Sequence, residues 1–267
     1  MALRTLVKKI LLKSSVGSAF VRHIQLKQQA FKPASGEPFQ YLSSKKGVKK
    51  IYKETFEEIF LLLKSLPLEG DIFEFGVCYG FTSRLLAQYM KQFQIDASLH
   101  LFDSFEGLPE ARELDLCSYE HHSGVWKKGS MRGPSGIEDY IQRKLSKVLG
   151  DRIFVTKGFF EETLECYLSR MKEAKARLIF LDCDLYSASK CVLELLFKYN
   201  VIQDGTLIIC DDWMTSLGNP NLGQRKAVAE VLEKHPTWEF EKYMNFGIGS
   251  HLFIAHDLDG VVKFSPL

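Results

Sequence analysis

Two short segments, 177–181 (Arg-Leu-Ile-Phe-Leu) and 206–210 (Thr-Leu-Ile-Ile-Cys), each continuously apolar after its first residue, flank a helix-length stretch at 187–199, and each is followed at once by aspartates. Runs of this length and make-up read as buried strands, and the stretch between them as the crossover of a βαβ unit. Both strands then end on the same edge of one sheet. Ligands of open, doubly wound sheets bind at the carboxyl ends of the strands, so Asp182, Asp184, Asp211 and Asp212 are expected to line one crevice. Like charges held that close require a cation or a shared proton.

The same alternation runs through most of the chain. Helices are expected at 54–66, 81–92, 136–148, 160–173, 187–199 and 222–235, and strands at 71–75, 98–102, 152–155, 177–181, 206–210, 238–243 and 250–256. Only a loop around Asn245-Phe246-Gly247-Ile248-Gly249 separates the last two strands, which points to an antiparallel pair at one edge. The prediction is an α/β, doubly wound, seven-stranded sheet in one domain, 54–267, behind a basic arm and linker, 1–53.

Charge divides the chain at the same place. Residues 1–53 hold twelve Lys/Arg and one acid, which leaves 23 basic and 32 acidic residues in 54–267. An acidic body lacks the broad positive face that phosphate binding needs, so nucleic acid is not the expected partner. Leu3, Leu6, Val7, Ile10 and Leu11 share one helical face in the arm, with Arg4, Lys8, Lys9 and Lys13 elsewhere. An arm packed on a partner subunit, as in a homo-oligomer, or laid over the active site is favoured; contact with an anionic membrane surface and an organellar transit peptide are the alternatives. The 33–50 stretch, with Lys45, Lys46, Lys49 and Lys50, reads as linker or solvated surface. Six cysteines without a C-x-x-C pair, several in apolar segments, indicate reduced thiols and a cytoplasmic protein.

The first strand runs into Glu74-Phe75-Gly76-Val77-Cys78-Tyr79-Gly80, an acid followed by a glycine turn at the head of a helix. The G-x-x-x-G spacing differs from the G-x-G-x-x-G that seats a pyrophosphate, and Glu74 would repel phosphate while attracting a cationic amino acid portion. Asp103 at the end of the second strand suits ribose hydroxyls, with a turn aspartate as the plain alternative. Together with Asp103 to Pro109, Lys157 to Leu164, Asp182 to Tyr186, Asp211-Asp212-Trp213 and Gly223 to Val228, the 74–80 run resembles the macrocin O-methyltransferase (TylF/MycF) family of class I enzymes dependent on S-adenosylmethionine. The resemblance spans roughly 50–256; Trp213 stands where tyrosine is common, and Asp204-Gly205 replaces a Gly-Gly pair.

That resemblance implies a Rossmann-like methyltransferase sheet and S-adenosyl-L-methionine as cofactor. It places Glu74, Gly76 and Gly80 around the methionine portion, Asp103 on the ribose, Ser104 and Phe105 near the adenosine, and Gly158 and Phe159 beside the adenine. Val77, Ser83 and Asp182 complete the expected cofactor contacts. Methyl transfer to oxygen requires the acceptor hydroxyl to lose its proton, and an oxygen-rich set such as Asp182, Asp211 and Asp212 suits Mg²⁺. The resemblance points to those three as metal ligands and to Asp182 or Asp184 as base. Asp184 would share a face with Asp182 if the strand continued through 184, or would cap the helix near Ser187; the plain alternative for Asp212 is a turn residue.

The long loop before 136 carries Tyr119, His121, His122 and Trp126, and loops of this length often cover binding sites. Trp126 reads either as a stacking surface or as the loop's anchor. The acceptor is expected to be a small hydroxylated molecule such as a glycosylated natural product, a substrate class that rests on the resemblance alone. A nucleotide-dependent oxidoreductase and a non-catalytic scaffold are the competing readings.

Overall fold

The computed structural model describes residues 46–260 apart from 172, 247 and 248. The arm, including the amphipathic stretch at 3–13, lies outside the described residues. Seven strands form one sheet: β1 (Asp71–Phe75), β2 (Leu99–Asp103), β3 (Ile153–Lys157), β4 (Ala176–Leu181), β5 (Leu207–Cys210), β6 (Trp238–Phe246) and β7 (Ser250–Asp257). Their spatial order is β3-β2-β1-β4-β5-β7-β6. The first five run parallel, and β7 is antiparallel to both β5 and β6. The expected edge pair is therefore present, with β7 inserted between β5 and β6.

Helices α1 (Lys46–Ser65), α2 (Phe81–Gln92) and α3 (Ile137–Leu149) cover one face, and α4 (Phe160–Arg170), α5 (Tyr186–Lys198) and α6 (Gly223–Lys234) the other. Strand alternation feeds the two cores. In β1, Ile72 packs towards α1 and α2 while Phe73 and Phe75 pack towards α4 and α5. From residue 71 onward the expected elements are all found, with ends displaced by at most three residues. The first helix differs more, starting at Lys46 rather than 54 and so running through the expected 53/54 boundary and into the stretch read as linker. Its apolar face, Phe56, Ile59, Phe60 and Leu63, is fully buried, and that packing carries the helix back through the lysine-rich turn.

One buried polar cluster holds the sheet to α4 at the end remote from the acids. His100 of β2 stacks between Phe73 at 4.7 Å and Phe154 at 5.0 Å. One ring nitrogen lies 3.0 Å from Asp71 Oδ2, and the other 2.7 Å from the Tyr167 hydroxyl. Burial works to raise the Asp71 carboxyl, but the His100 bond, the Ser98 amide and the nearby Arg177 charge hold it below its ordinary range. Replacing His100 by leucine leaves a half-buried phenol and a half-buried carboxylate without that partner, and is expected to cost roughly 2 kcal/mol of stability. A urea titration should show the lower midpoint with an unchanged slope.

Candidate active site

The chain reverses direction across the sheet between β1 and β4, and the crevice at their carboxyl ends is where such folds bind ligands. The glycine turn sits there, directly on the first acidic loop. Gly76, at φ 93°, presses against Asp182: a Cβ built on it would fall 1.9 Å from the Asp182 carbonyl oxygen. Glycine is the residue this approach permits. Around it the Asp182 amide donates to the Phe75 carbonyl at 2.8 Å, and the Gly76 amide to Phe102 at 2.9 Å. Gly80, left-handed at φ 70°, bonds Val77 O at 2.8 Å and starts α2.

Glu74 is fully buried behind this turn. Thr82 donates its hydroxyl to one carboxyl oxygen and Ser83 lies close enough to support the charge, yet Oε2 has no well-oriented hydrogen bond among the described residues. Burial pushes the carboxyl up to about 8, against the opposing influence of the nearby Ser83 and the Thr82 bond. A buried carboxylate with an orphaned oxygen beside a turn that brings backbone close fits the ammonium end of an amino acid.

Asp103, the residue expected on the ribose, accepts three backbone amides. Its Oδ2 accepts the amides of Val77 at 2.7 Å and Cys78 at 2.8 Å, and its Oδ1 that of Phe105 at 2.6 Å. It therefore pins the glycine turn to the end of β2. Burial raises this carboxyl while the three amides counteract it. Gly158 joins the same corner through its amide on the Asp103 carbonyl at 3.0 Å, with half-buried Phe159 beginning the turn into α4. The Ser104 hydroxyl donates to Gly107 O at 2.9 Å and shapes the next turn. Phe105 is 5% exposed and packs in the same core cluster as Val77, while Phe159 is the more open ring.

On the acidic side β4 stops at Leu181, so Asp184 does not reach the crevice by strand alternation. A tight turn brings it there instead, with the Leu185 amide on Cys183 O at 2.6 Å and Asp184 left-handed at φ 60°. Its amide donates to Asp212 Oδ2 at 2.8 Å, linking the two loops. Carboxylate oxygens of Asp182, Asp184 and Asp212 all lie within 4.8 Å of one another. Asp211, expected in the metal set, is not in that group. Its Oδ1 accepts hydroxyls from Tyr52 at 3.1 Å and Ser250 at 2.6 Å. Gln224 fixes the register of the loops: its side chain accepts the Asp212 amide at 3.1 Å and donates to Leu181 O at 3.2 Å. Three converging carboxylates form a hard, all-oxygen donor set, which fits Mg²⁺ or Mn²⁺.

Asp184 is no helix cap; the residue before α5 is Leu185. The cap comes from far away in the chain, since Asp115 Oδ1 accepts the Tyr186 amide at 2.7 Å. Glu120 clamps a second point, accepting the Ser216 amide at 3.0 Å and its hydroxyl at 3.0 Å, and holds Ser216 and Leu217 in left-handed backbone. The loop that precedes α3 thus contains a 3₁₀ turn (Glu113–Cys117) and one helical turn (Tyr119–His122), both tied to the acid-bearing loops. Trp126 is 4% exposed and packs in the core, so it is the anchor of this segment. His122 is bonded to Ser118 O at 2.9 Å. Tyr186 turns to Glu230 of α6, 2.7 Å away. Asp115, Glu120 and Tyr52 were not legible as site residues; their partners lie 71, 96 and 159 positions away in sequence. All six cysteines are free, and burial pushes the Cys78 and Cys183 thiols well above their ordinary range, which makes them poor nucleophiles.

A sheet of this order and mixed direction, with a glycine turn after β1 and acids after β4 and β5, defines an α/β methyltransferase fold. The chain belongs to the macrocin-O-methyltransferase (TylF) family, whose model matches residues 50–222. Its fold is similar to that of CalS11, a calicheamicin methyltransferase, at TM-score 0.64 and 19% identity over 91% of this chain and 93% of that one. It is likewise similar to the O-methyltransferase NovP, at TM-score 0.62 and 18% identity over 94% and 98% of the two chains. An O-methyltransferase from Bacillus cereus, solved in complex with SAH, aligns at TM-score 0.50 and 14% identity over 96% of each chain. No curated protein matches in sequence. Among the described residues no helix is long and apolar enough to cross a membrane.

Proposed function

We propose that this protein is an S-adenosylmethionine-dependent O-methyltransferase, assisted by a divalent cation, acting on a hydroxyl of a small molecule such as a glycosylated natural product. The observation that carries the reading is the contact of Gly76 with Asp182, which sets the glycine turn against the converging carboxylates of Asp182, Asp184 and Asp212. A methyl donor held on one side of that contact meets an acceptor held on the other. Family membership supports the reaction class, and the relatives' names, a calicheamicin methyltransferase among them, support a natural-product acceptor.

Each part of the site has a role in this chemistry. Glu74 receives the ammonium group of the cofactor, and Asp103 keeps the Val77 and Cys78 amides in the arrangement that shapes the turn. Gly158 and Phe159 border the far end of the cofactor groove. Bound Mg²⁺ would supply Lewis acidity to the acceptor side of the site. Asp182, Asp184 and Asp212 would hold that ion, and the greater openness of Asp182 among the three supports it as the group that takes the acceptor proton. Gln224 and the Asp184 amide keep Asp212 aimed at the group.

The test is release of S-adenosylhomocysteine from S-adenosylmethionine across a panel of hydroxylated sugars and glycosides, with Mg²⁺ and with EDTA. Turnover that needs the metal is the expected result. Turnover unaffected by EDTA removes the cation from the reaction, and calorimetric preference for NADH over S-adenosylmethionine sinks the methyltransferase reading.

A further inference from the structure

Helix α1 sends one side chain across the molecule to the acidic centre. The Tyr52 hydroxyl donates to Asp211 Oδ1 at 3.1 Å. Ser250, the first residue of β7, donates to the same oxygen at 2.6 Å, and its hydroxyl also lies 3.1 Å from the Asp211 carbonyl oxygen. The Tyr52 ring stacks on Phe56, with centroids 6.2 Å apart, and meets Phe81 edge-on at 5.6 Å. Phe81 opens α2 immediately after Gly80. A single residue therefore touches the helix that leaves the glycine turn with its ring and the carboxylate that ends β5 with its hydroxyl.

Packing of α1 does not call for that hydroxyl. Phe56, Ile59, Phe60 and Leu63 already anchor the helix, each fully buried, and a phenylalanine at 52 would keep the ring contacts. What the hydroxyl adds is electrostatic and directional. Two donors on one oxygen favour the ionised carboxylate and fix its torsion, and Asp211 at 1% exposure has little water to do so. Asp211 directly precedes Asp212, so its orientation sets the backbone from which Asp212 joins Asp182 and Asp184.

We infer that Tyr52, seconded by Ser250, is a positioning residue for the acidic centre: it orients Asp211 and thereby makes α1 part of the machinery that takes up a divalent cation. The inference rests on the reading of that centre as a cation site. Mn²⁺ is the probe, with free ion followed by electron paramagnetic resonance in the full chain. Tyr52→Phe and Ser250→Ala are each expected to weaken Mn²⁺ binding roughly ten-fold. The same variants should lower kcat with little change in KM for the cofactor, while melting temperature stays near that of the parent. Parent-like Mn²⁺ affinity in both variants overturns the inference and leaves the cation site standing, as does a lowered melting temperature without any change in affinity. Absence of Mn²⁺ binding by the parent protein overturns the cation reading itself, and this inference with it.

Discussion

Replacing Asp212 by alanine is expected to lower kcat/KM for methyl transfer by roughly 10³-fold, the scale on which loss of a proton-handling or charge-stabilising group is felt. Asp212 does two things at once. Its carboxylate belongs to the three-acid group, and its Oδ2 accepts the amide of Asp184, which stands in a left-handed turn. Alanine removes both the charge and the bond that steadies that turn. Asparagine keeps an acceptor for the Asp184 amide and removes only the charge. If the cation role dominates, Asp212→Asn should be nearly as inactive as Asp212→Ala and should fail to recover with added Mg²⁺. Recovery of most of the rate in Asp212→Asn would instead assign Asp212 to loop geometry alone. Single-turnover rates at saturating cofactor separate this effect from cofactor binding.

Glu74→Gln is expected to weaken S-adenosylmethionine binding by roughly 10²-fold, as befits loss of a buried charge-assisted pair. The same change should stabilise the ligand-free protein at neutral pH. Burial holds the carboxyl at about 8 against an ordinary 4.5, so between those values the folded protein keeps a proton that the unfolded chain releases. Stability from this group is full below about 4.5 and is lost as pH rises through about 8. A cationic ligand favours the ionised form, so binding near pH 7 should expel a proton from Glu74, and affinity should climb as pH approaches 8. Calorimetry in buffers of different ionisation enthalpy measures that proton directly. A binding enthalpy independent of buffer, equal in the parent and in Glu74→Gln, would falsify the assignment of Glu74 to the ammonium group.

The central strands were legible because they are short apolar runs bounded by turns, and burial on both faces demands that pattern. Helix α1 was cut short because Lys45, Lys46, Lys49 and Lys50 look solvated, while the packing that extends the helix lies further along it. The acids of the crevice were visible as strand-end doublets, but how Asp184 arrives there was not. Strand alternation suggested one route, and a turn closed by Leu185 on Cys183 provides another. Asp103 shows the limit most plainly. An acid at a strand end announces a site, yet nothing local says that three backbone amides converge on it. Buried carboxylates such as Asp115 and Glu120 are hidden more deeply still, since charged residues in a long loop look solvated until their distant partners are known.

Those two clamps also bear on the order in which the protein assembles. Asp115 and Glu120 close loops of 71 and 96 residues, and neither has a partner until α5 and the 215–218 turn exist. Contacts this remote in sequence are slow to form because loop closure must precede any gain from them. The segment between β2 and α3 is therefore expected to settle late, after the elements that carry its partners. If those clamps let go before the sheet melts, catalytic competence should disappear at a lower temperature than helical signal, leaving an intact sheet whose acid-bearing loops have lost their two distant anchors.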